Sequence, residues 1–267
     1  MKDGRVSDLE FLYAESLAGN GLVHAFTTRT GGVSEGPYKS LNLTWSRDDN
    51  KDHVAENRAR VARALGLERL VFANQVHSAR VIRVDDWPET WAAGDGDALI
   101  TNVPGLALCT QVADCVPVLL HDPENHAVGA VHSGWRGTVK EITKATIDAM
   151  GEAYGTRPET LRAAIGPAIS KENYRVGPEV LEEFEALFGE LDDALAGPRD
   201  LEGGAGLDVA EAVYRQLVRA GVQDAQISRI RACTFADEAR FFSSRRAARD
   251  GHAGAFGGQC GVIALAP

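Results

Sequence analysis

Three short segments gather side chains able to ligate a metal: Asn74-Gln75-Val76-His77, Ala113-Asp114-Cys115-Val116-Pro117 and Val131-His132-Ser133-Gly134-Trp135-Arg136. Each candidate ligand sits beside a predicted turn at a strand end. Imidazole and thiolate are donors that suit zinc. A His2Cys set fills three of its four positions and leaves the fourth for water or substrate, which is the form of a catalytic site rather than a structural one. The spacing of His77, Cys115 and His132 matches no local metal motif. From residue types alone the plainer alternative stands: two hydrogen-bonded strand-end histidines and a small buried cysteine.

A wider set of segments bears on that choice. SLNLTWSRDD, VAENR, NQVHSARV, GDALIT, ADCVPVLLHD, VHSGWRGTVKEI, IGPAISKENYRVGPEV and FFSSRR together resemble the YfiH family, also called laccase-domain or polyphenol oxidase-like proteins. The resemblance extends over nearly the whole chain. It implies a metal site on His77, Cys115 and His132, with zinc as the expected ion and copper as the alternative. It also implies one domain over residues 1–267: an α/β (α+β) sandwich, a mixed sheet with packed helices, related to a cytotoxic deamidase toxin fold. The implied activities are phosphorolysis of adenosine, inosine and S-methyl-5′-thioadenosine and hydrolytic deamination of adenosine. Purine nucleosides and phosphate are then the expected small-molecule partners. On resemblance, Asn42 of SLNL and Arg58 of AENR rank ahead of Arg29 of TRTGG and Arg136 of GWRG as substrate-binding residues.

Zinc with an open position lowers the pKa of water toward 7 and suits deamination at the purine C6 carbon. Phosphorolysis asks instead for positive charge around phosphate beside the sugar as the glycosidic bond loosens. Three other readings remain. One is editing hydrolysis, removing a wrong amino acid from a peptidoglycan nucleotide precursor. Another is copper-dependent phenol oxidation, which fits poorly: a multicopper oxidase needs roughly ten imidazoles, and this chain has seven histidines. The third is a non-catalytic partner protein with a structural metal, for which a fourth protein ligand would be the mark.

Two departures from the family pattern stand out. The segment Gly166-Pro167-Ala168-Ile169-Ser170 lacks the cysteine of the usual GPCIG-like run, and the end after FFSSRR is longer and richer in glycine. The H-x-E and P-C-x-x-C signature of zinc nucleobase deaminases is absent as well, so deamination would need another proton shuttle. Asp114, next to Cys115, would point to the opposite face of a regular strand. Cys109 would share a face with Cys115 in an unbroken strand, but core packing is its expected role, and His121 and His126 are expected at the surface of a turn.

The elements that must position these residues follow from periodicity. Strands are expected near 22–28, 70–76, 80–84, 98–101, 106–112, 116–121, 127–131, 227–233 and 261–265. Helices are expected near 53–65, after Gly137 with Ile142, Ala145, Ala149 and Met150 on one face, and around 180–188 and 209–220. Gly134-Trp135-Arg136-Gly137 is then a strand-to-helix turn whose N–H groups could cradle an anion. The segment 191–206 is the best candidate for a mobile surface loop. With 44% hydrophobic and 25% charged residues the chain is an ordinary globular one, and interleaved strands and helices point to layered α/β architecture. A net charge of −10 argues against a general nucleic-acid binder. No apolar run is long enough to cross a membrane, the opening MKDGRVSDLE lacks an export signal's apolar core, and the four cysteines form no CxxC pair. Cytoplasm is the expected address.

Overall fold

The computed structural model describes residues 9–19 and 21–266. The expectation about an export signal falls largely on residues 1–8, outside that range. In chain order the elements are β1 (Phe11–Leu12), β2 (Leu22–Thr27), α1 (Lys51–Ala64), β3 (Leu70–Asn74), β4 (Val81–Arg83), β5 (Ala92–Asp95), β6 (Ala98–Thr101), β7 (Ala107–Val112), β8 (Val116–Asp122), β9 (Ala127–Ser133), α2 (Trp135–Val139), α3 (Ile142–Tyr154), β10 (Arg162–Ile165), β11 (Arg175–Val176), α4 (Pro178–Phe188), β12 (Ala205–Gly206), α5 (Val209–Arg219), β13 (Ile227–Arg229), α6 (Ser244–Arg249) and β14 (Gln259–Leu265). No helix among them is long and apolar enough to cross a membrane.

Two mixed sheets form a sandwich. One runs β1-β2-β14-β7-β3-β5 and the other β13-β10-β8-β9-β6-β4, while β11 and β12 pair apart from both. Between the sheets, Phe26, Val71, Leu108 and Ile263 of the first meet Leu99, Leu119, Val128 and Ala164 of the second. The outer face of the second sheet packs Val118, Leu120 and Val131 against Ile147 and Met150 of α3, Phe184 of α4 and Val213 and Leu217 of α5. Val61 and Ala62 of α1, with Leu41 and Leu43, cover Phe72, Cys109 and Val262 on the outer face of the first. The order is helix, sheet, sheet, helices. This explains why β7, β8 and β9 read as nearly continuous apolar runs: strands covered on both faces carry no polar alternation.

Local chemistry sets the helix ends. Asn50 caps α1 by accepting the Asp52 N–H at 2.8 Å, and Asp208 caps α5 through the Glu211 N–H at 2.8 Å. Gly155 ends α3 in the left-handed region at φ 77°, where glycine is favoured.

Some expectations are corrected. GWRG is no simple turn: Gly134 starts the short helix α2, and Glu141 at φ 56° redirects the chain into α3. The strand expected over 227–233 stops at Arg229. The loop 191–206 is irregular but tied down, with Leu195 and Ala196 buried, Arg175 paired to Asp200 and Glu202 at 2.6 and 2.7 Å, and Arg199 to Glu185 at 2.7 Å.

Among the described residues the chain changes sheet six times, and three of these crossings run from the first sheet to the second and lie beside one another: β3 to β4, β5 to β6 and β7 to β8. Gln75, just past β3, locks two of these together. Its side chain donates to the Gln111 carbonyl at 2.8 Å and accepts the Gln111 N–H at 2.7 Å, replacing one more rung of the β3–β7 ladder.

Candidate metal centre

His77 stands in the first of these crossings, in the left-handed region at φ 58°, and Cys115 ends the third, after Asp114 at φ 100°. His132 lies near the end of β9. One ligand atom from each of the three comes within 4.8 Å of the others, and the two imidazoles meet edge to face with centroids 4.9 Å apart. The three residues expected to share a metal are therefore together, although no two belong to the same strand.

Their surroundings suit a cation. Asp97, in the middle crossing, bonds His132 Nδ1 at 2.9 Å, which leaves Nε2 to face the other ligands. Burial pushes the Asp97 carboxyl up, but hydrogen bonds from His132 and Ser78 outweigh it and hold the group well below the usual carboxylate range. Burial also raises the Cys115 thiol, yet the charge of His132 and hydrogen bonds from His132 and His77 bring it down to about 6. For His132, burial works downward, and the Cys115 charge with the Asp97 bond lifts it to about 9. Both shifts run toward the charged forms, thiolate and imidazolium. A divalent cation would take the place of that proton against the same thiolate. Gly134 makes the room: a Cβ there would lie 2.9 Å from Cys115 Sγ and 3.3 Å from His77 Cδ2.

The three residues line one end of a cavity of about 410 Å³. Three arginine–aromatic pairs form much of its remaining wall: Arg47 over Phe256 at 4.0 Å, Arg136 over Trp135 at 4.4 Å and Arg245 over Tyr174 at 4.8 Å. Trp91 also faces the cavity. Among the described residues Asp114 is the one carboxylate in the lining, and it is committed. Its Oδ1 accepts the Thr234 hydroxyl at 2.7 Å and its Oδ2 the Arg245 N–H at 2.7 Å, which ties the start of α6 to the metal-ligand loop.

The four substrate-binding candidates have different fates. Arg136 lines the cavity. Asn42 is fully buried, accepts the Thr44 and Gly258 N–H groups at 3.0 Å and donates to Asp49 at 2.8 Å. Arg58 binds the Leu43 carbonyl twice, at 3.0 and 2.8 Å, and lies 3.8 Å over Phe72, where burial lowers its pKa to about 10. Arg29 binds the Lys39 carbonyl at 2.9 Å. None of these last three lines the cavity.

Asp97, Arg47, Tyr174, Arg245 and Phe256 were not picked out from the sequence. Arg47, Asp97, Tyr174 and Arg245 lie inside SLNLTWSRDD, GDALIT, SKENYRV and FFSSRR, so the motifs carried a signal to which no role was attached. His121 is also corrected: it is half-buried, with Nδ1 buried and without a hydrogen-bond partner among the described residues. Cys109 packs in the core as expected.

The family model described as multi-copper polyphenol oxidoreductase laccase matches residues 23–266. The chain belongs to this family. Among curated relatives, a purine nucleoside phosphorylase of Deinococcus radiodurans is 45% identical over 89% of this chain and 88% of its own. An adenosine deaminase, RL5, from an unknown prokaryotic organism is 36% identical over 88% and 91%. Of solved structures, YlmD from Geobacillus stearothermophilus superposes with a TM-score of 0.86 at 31% identity, covering 98% of this chain and 99% of that one. The laccase-type fold and its enzyme relatives thus extend over almost the whole described chain.

Proposed function

We propose that the chain is a zinc-dependent purine nucleoside enzyme, with His77, Cys115 and His132 as metal ligands. Its reactions are phosphorolysis of adenosine, inosine and S-methyl-5′-thioadenosine, and hydrolytic deamination of adenosine. The observation that carries the reading is the charge of the cavity. In a molecule of net charge −10, three arginines and two histidines face one pocket whose carboxylate is already bound. Such a wall attracts a dianion such as phosphate and stabilises the charge it carries in the transition state. The names of the relatives, phosphorylase and deaminase, support the same substrate class.

Zinc, when bound, supplies Lewis acidity and a polarised water at an open coordination position. The chain's own residues do the rest. Arg136 and Arg245 hold phosphate with charge-assisted hydrogen bonds, and their stacking on Trp135 and Tyr174 restricts their rotamers before the ligand arrives. The ring of Trp91 offers a face for a purine. Asn42, Arg58 and Arg29 act one layer back, holding the loops that carry Thr44 and Arg47 into the wall.

Copper oxidase chemistry is a weaker fit. A blue-copper His2Cys site takes a weak axial ligand, commonly methionine, whereas Met150, the one methionine among the described residues, packs against Gly129 in the core. A structural metal would require a fourth protein ligand, and the described cluster has three members.

The test uses protein of measured zinc and copper content, assayed with adenosine in the presence and absence of phosphate, with adenine, inosine and ribose 1-phosphate separated. Phosphate-dependent adenine and phosphate-independent inosine are expected, both lost with the metal in Cys115→Ala and His132→Ala. Full turnover by a metal-free variant would sink the zinc reading. Idle nucleosides beside a fast-reacting aminoacyl nucleotide precursor would replace it with editing.

A further inference from the structure

Asp97 lies behind the His132 imidazole and beside the His77 turn, 2% exposed, in the crossing between β5 and β6. Its Oδ1 accepts from His132 Nδ1 at 2.9 Å and from the His77 N–H at 3.0 Å. Its Oδ2 accepts from the Ser78 N–H at 2.6 Å, the Ser78 hydroxyl at 2.7 Å and the Val76 N–H at 3.3 Å. The Asp97 carbonyl also receives the His132 N–H at 2.7 Å. One residue therefore touches the ring and backbone of one candidate ligand and the backbone of the other.

We propose that Asp97 is the positioning residue of this centre. It holds His132 in the Nδ1–H form and fixes the left-handed turn at His77, so that both rings converge on Cys115. The assignment rests on the metal reading above and adds to it how a ligand on a crossing and a ligand on β9 are held in register. Every group facing the carboxylate is a donor, so the position requires a side chain that accepts on both oxygens. An amide cannot do so. With its NH2 toward His132, it forces the ring's proton onto Nε2, the ligating atom. With its NH2 toward Ser78, it sets donor against the Ser78 N–H. Either orientation disturbs one histidine.

The experiment compares wild type, Asp97→Asn and Ser78→Ala. Ser78→Ala removes one donor to the same carboxylate but leaves the carboxylate–imidazole bond, so it reports the effect of perturbing the turn alone. Zinc affinity, measured by competition with a chromophoric chelator, is expected to fall about 10- to 100-fold in Asp97→Asn and to stay near wild type in Ser78→Ala. With ¹⁵N-labelled histidine, the His132 proton should sit on Nδ1 in zinc-loaded wild type and move or exchange freely in Asp97→Asn. In metal-free protein, the His77 and Ser78 amides should exchange faster in Asp97→Asn.

Unchanged zinc affinity and an unchanged His132 signal in Asp97→Asn would overturn the proposal. An equal loss of zinc in Ser78→Ala would overturn the part assigned to the carboxylate–imidazole bond, because the turn alone would then account for the effect. If wild type takes up no zinc, the metal reading fails separately. The metal-free exchange of the His77 and Ser78 amides then still decides whether Asp97 holds that turn.

Discussion

At the scale of single residues, the centre depends on what is missing as much as on what is present. Gly134 starts α2 beside the thiol, and the absence of a Cβ is what lets Cys115 and His77 approach each other across it. Gly134→Ala would place a methyl carbon 2.9 Å from Sγ, against a ring and a backbone that cannot easily retreat. Zinc affinity should fall roughly tenfold or more while the melting temperature changes little, because the clash is confined to the ligand cluster. Chelator competition and a thermal melt on the same variant check both halves. Asn42, Arg58 and Arg29 teach a related lesson. Polar side chains in suggestive motifs were expected to meet substrate, but each is bonded to backbone: Asn42 and Arg58 satisfy buried or half-buried groups of Gly258 and Leu43, and Arg29 holds the exposed Lys39 carbonyl.

At the scale of elements, α6 forms one wall of the cavity. It is a short helix and an intrinsically weak one, held by the Ser243 cap, which accepts the Arg246 N–H at 3.1 Å, and by Asp114, which receives the Arg245 N–H. Arg246 staples the preceding loop through the carbonyls of Thr234 and Phe235 at 2.7 and 2.9 Å. Thr234→Val removes the hydroxyl that donates to Asp114 and leaves a buried carboxylate oxygen short of a partner. That should cost about 1–3 kcal/mol of stability, read by denaturant unfolding. It should also raise the phosphate half-saturation concentration more than it lowers kcat, because Arg245 is held less firmly.

At the scale of the whole molecule, acid sensitivity has an identifiable contributor on β8. Burial, followed by the charge of Arg162, lowers the His121 pKa to about 4. The folded chain then binds fewer protons here than the unfolded chain, whose histidine titrates near 6.5. Stability from this group is complete above about pH 6.5 and is lost as pH falls from there toward 4. His121→Gln should flatten the pH dependence of unfolding free energy across that window relative to wild type. Equal slopes for the two proteins would show that His121 contributes nothing to it.

Much of this was legible in the chain. Apolar runs bounded by turn residues marked β6, β7, β8 and β9, and helical spacing marked α1, α3, α4 and α5, because both patterns are local consequences of which face is buried. The donor types of His77, Cys115 and His132, with the motifs around them, named the metal candidates before their distances were known. Other features have no local signature. Whether the strands form one sheet or two depends on pairings far apart in sequence, and short pieces such as β5 and β10 carry too little pattern to stand out. The role of Asp97 and the arginine wall arise because three crossings between the sheets meet at one place and α6 folds back over them. Side chains that only long-range packing brings together cannot be matched by period or spacing. For the same reason Asn42 and Arg58 look alike as ligand-binders in the sequence, until Gly258 and Leu43 are seen to occupy them.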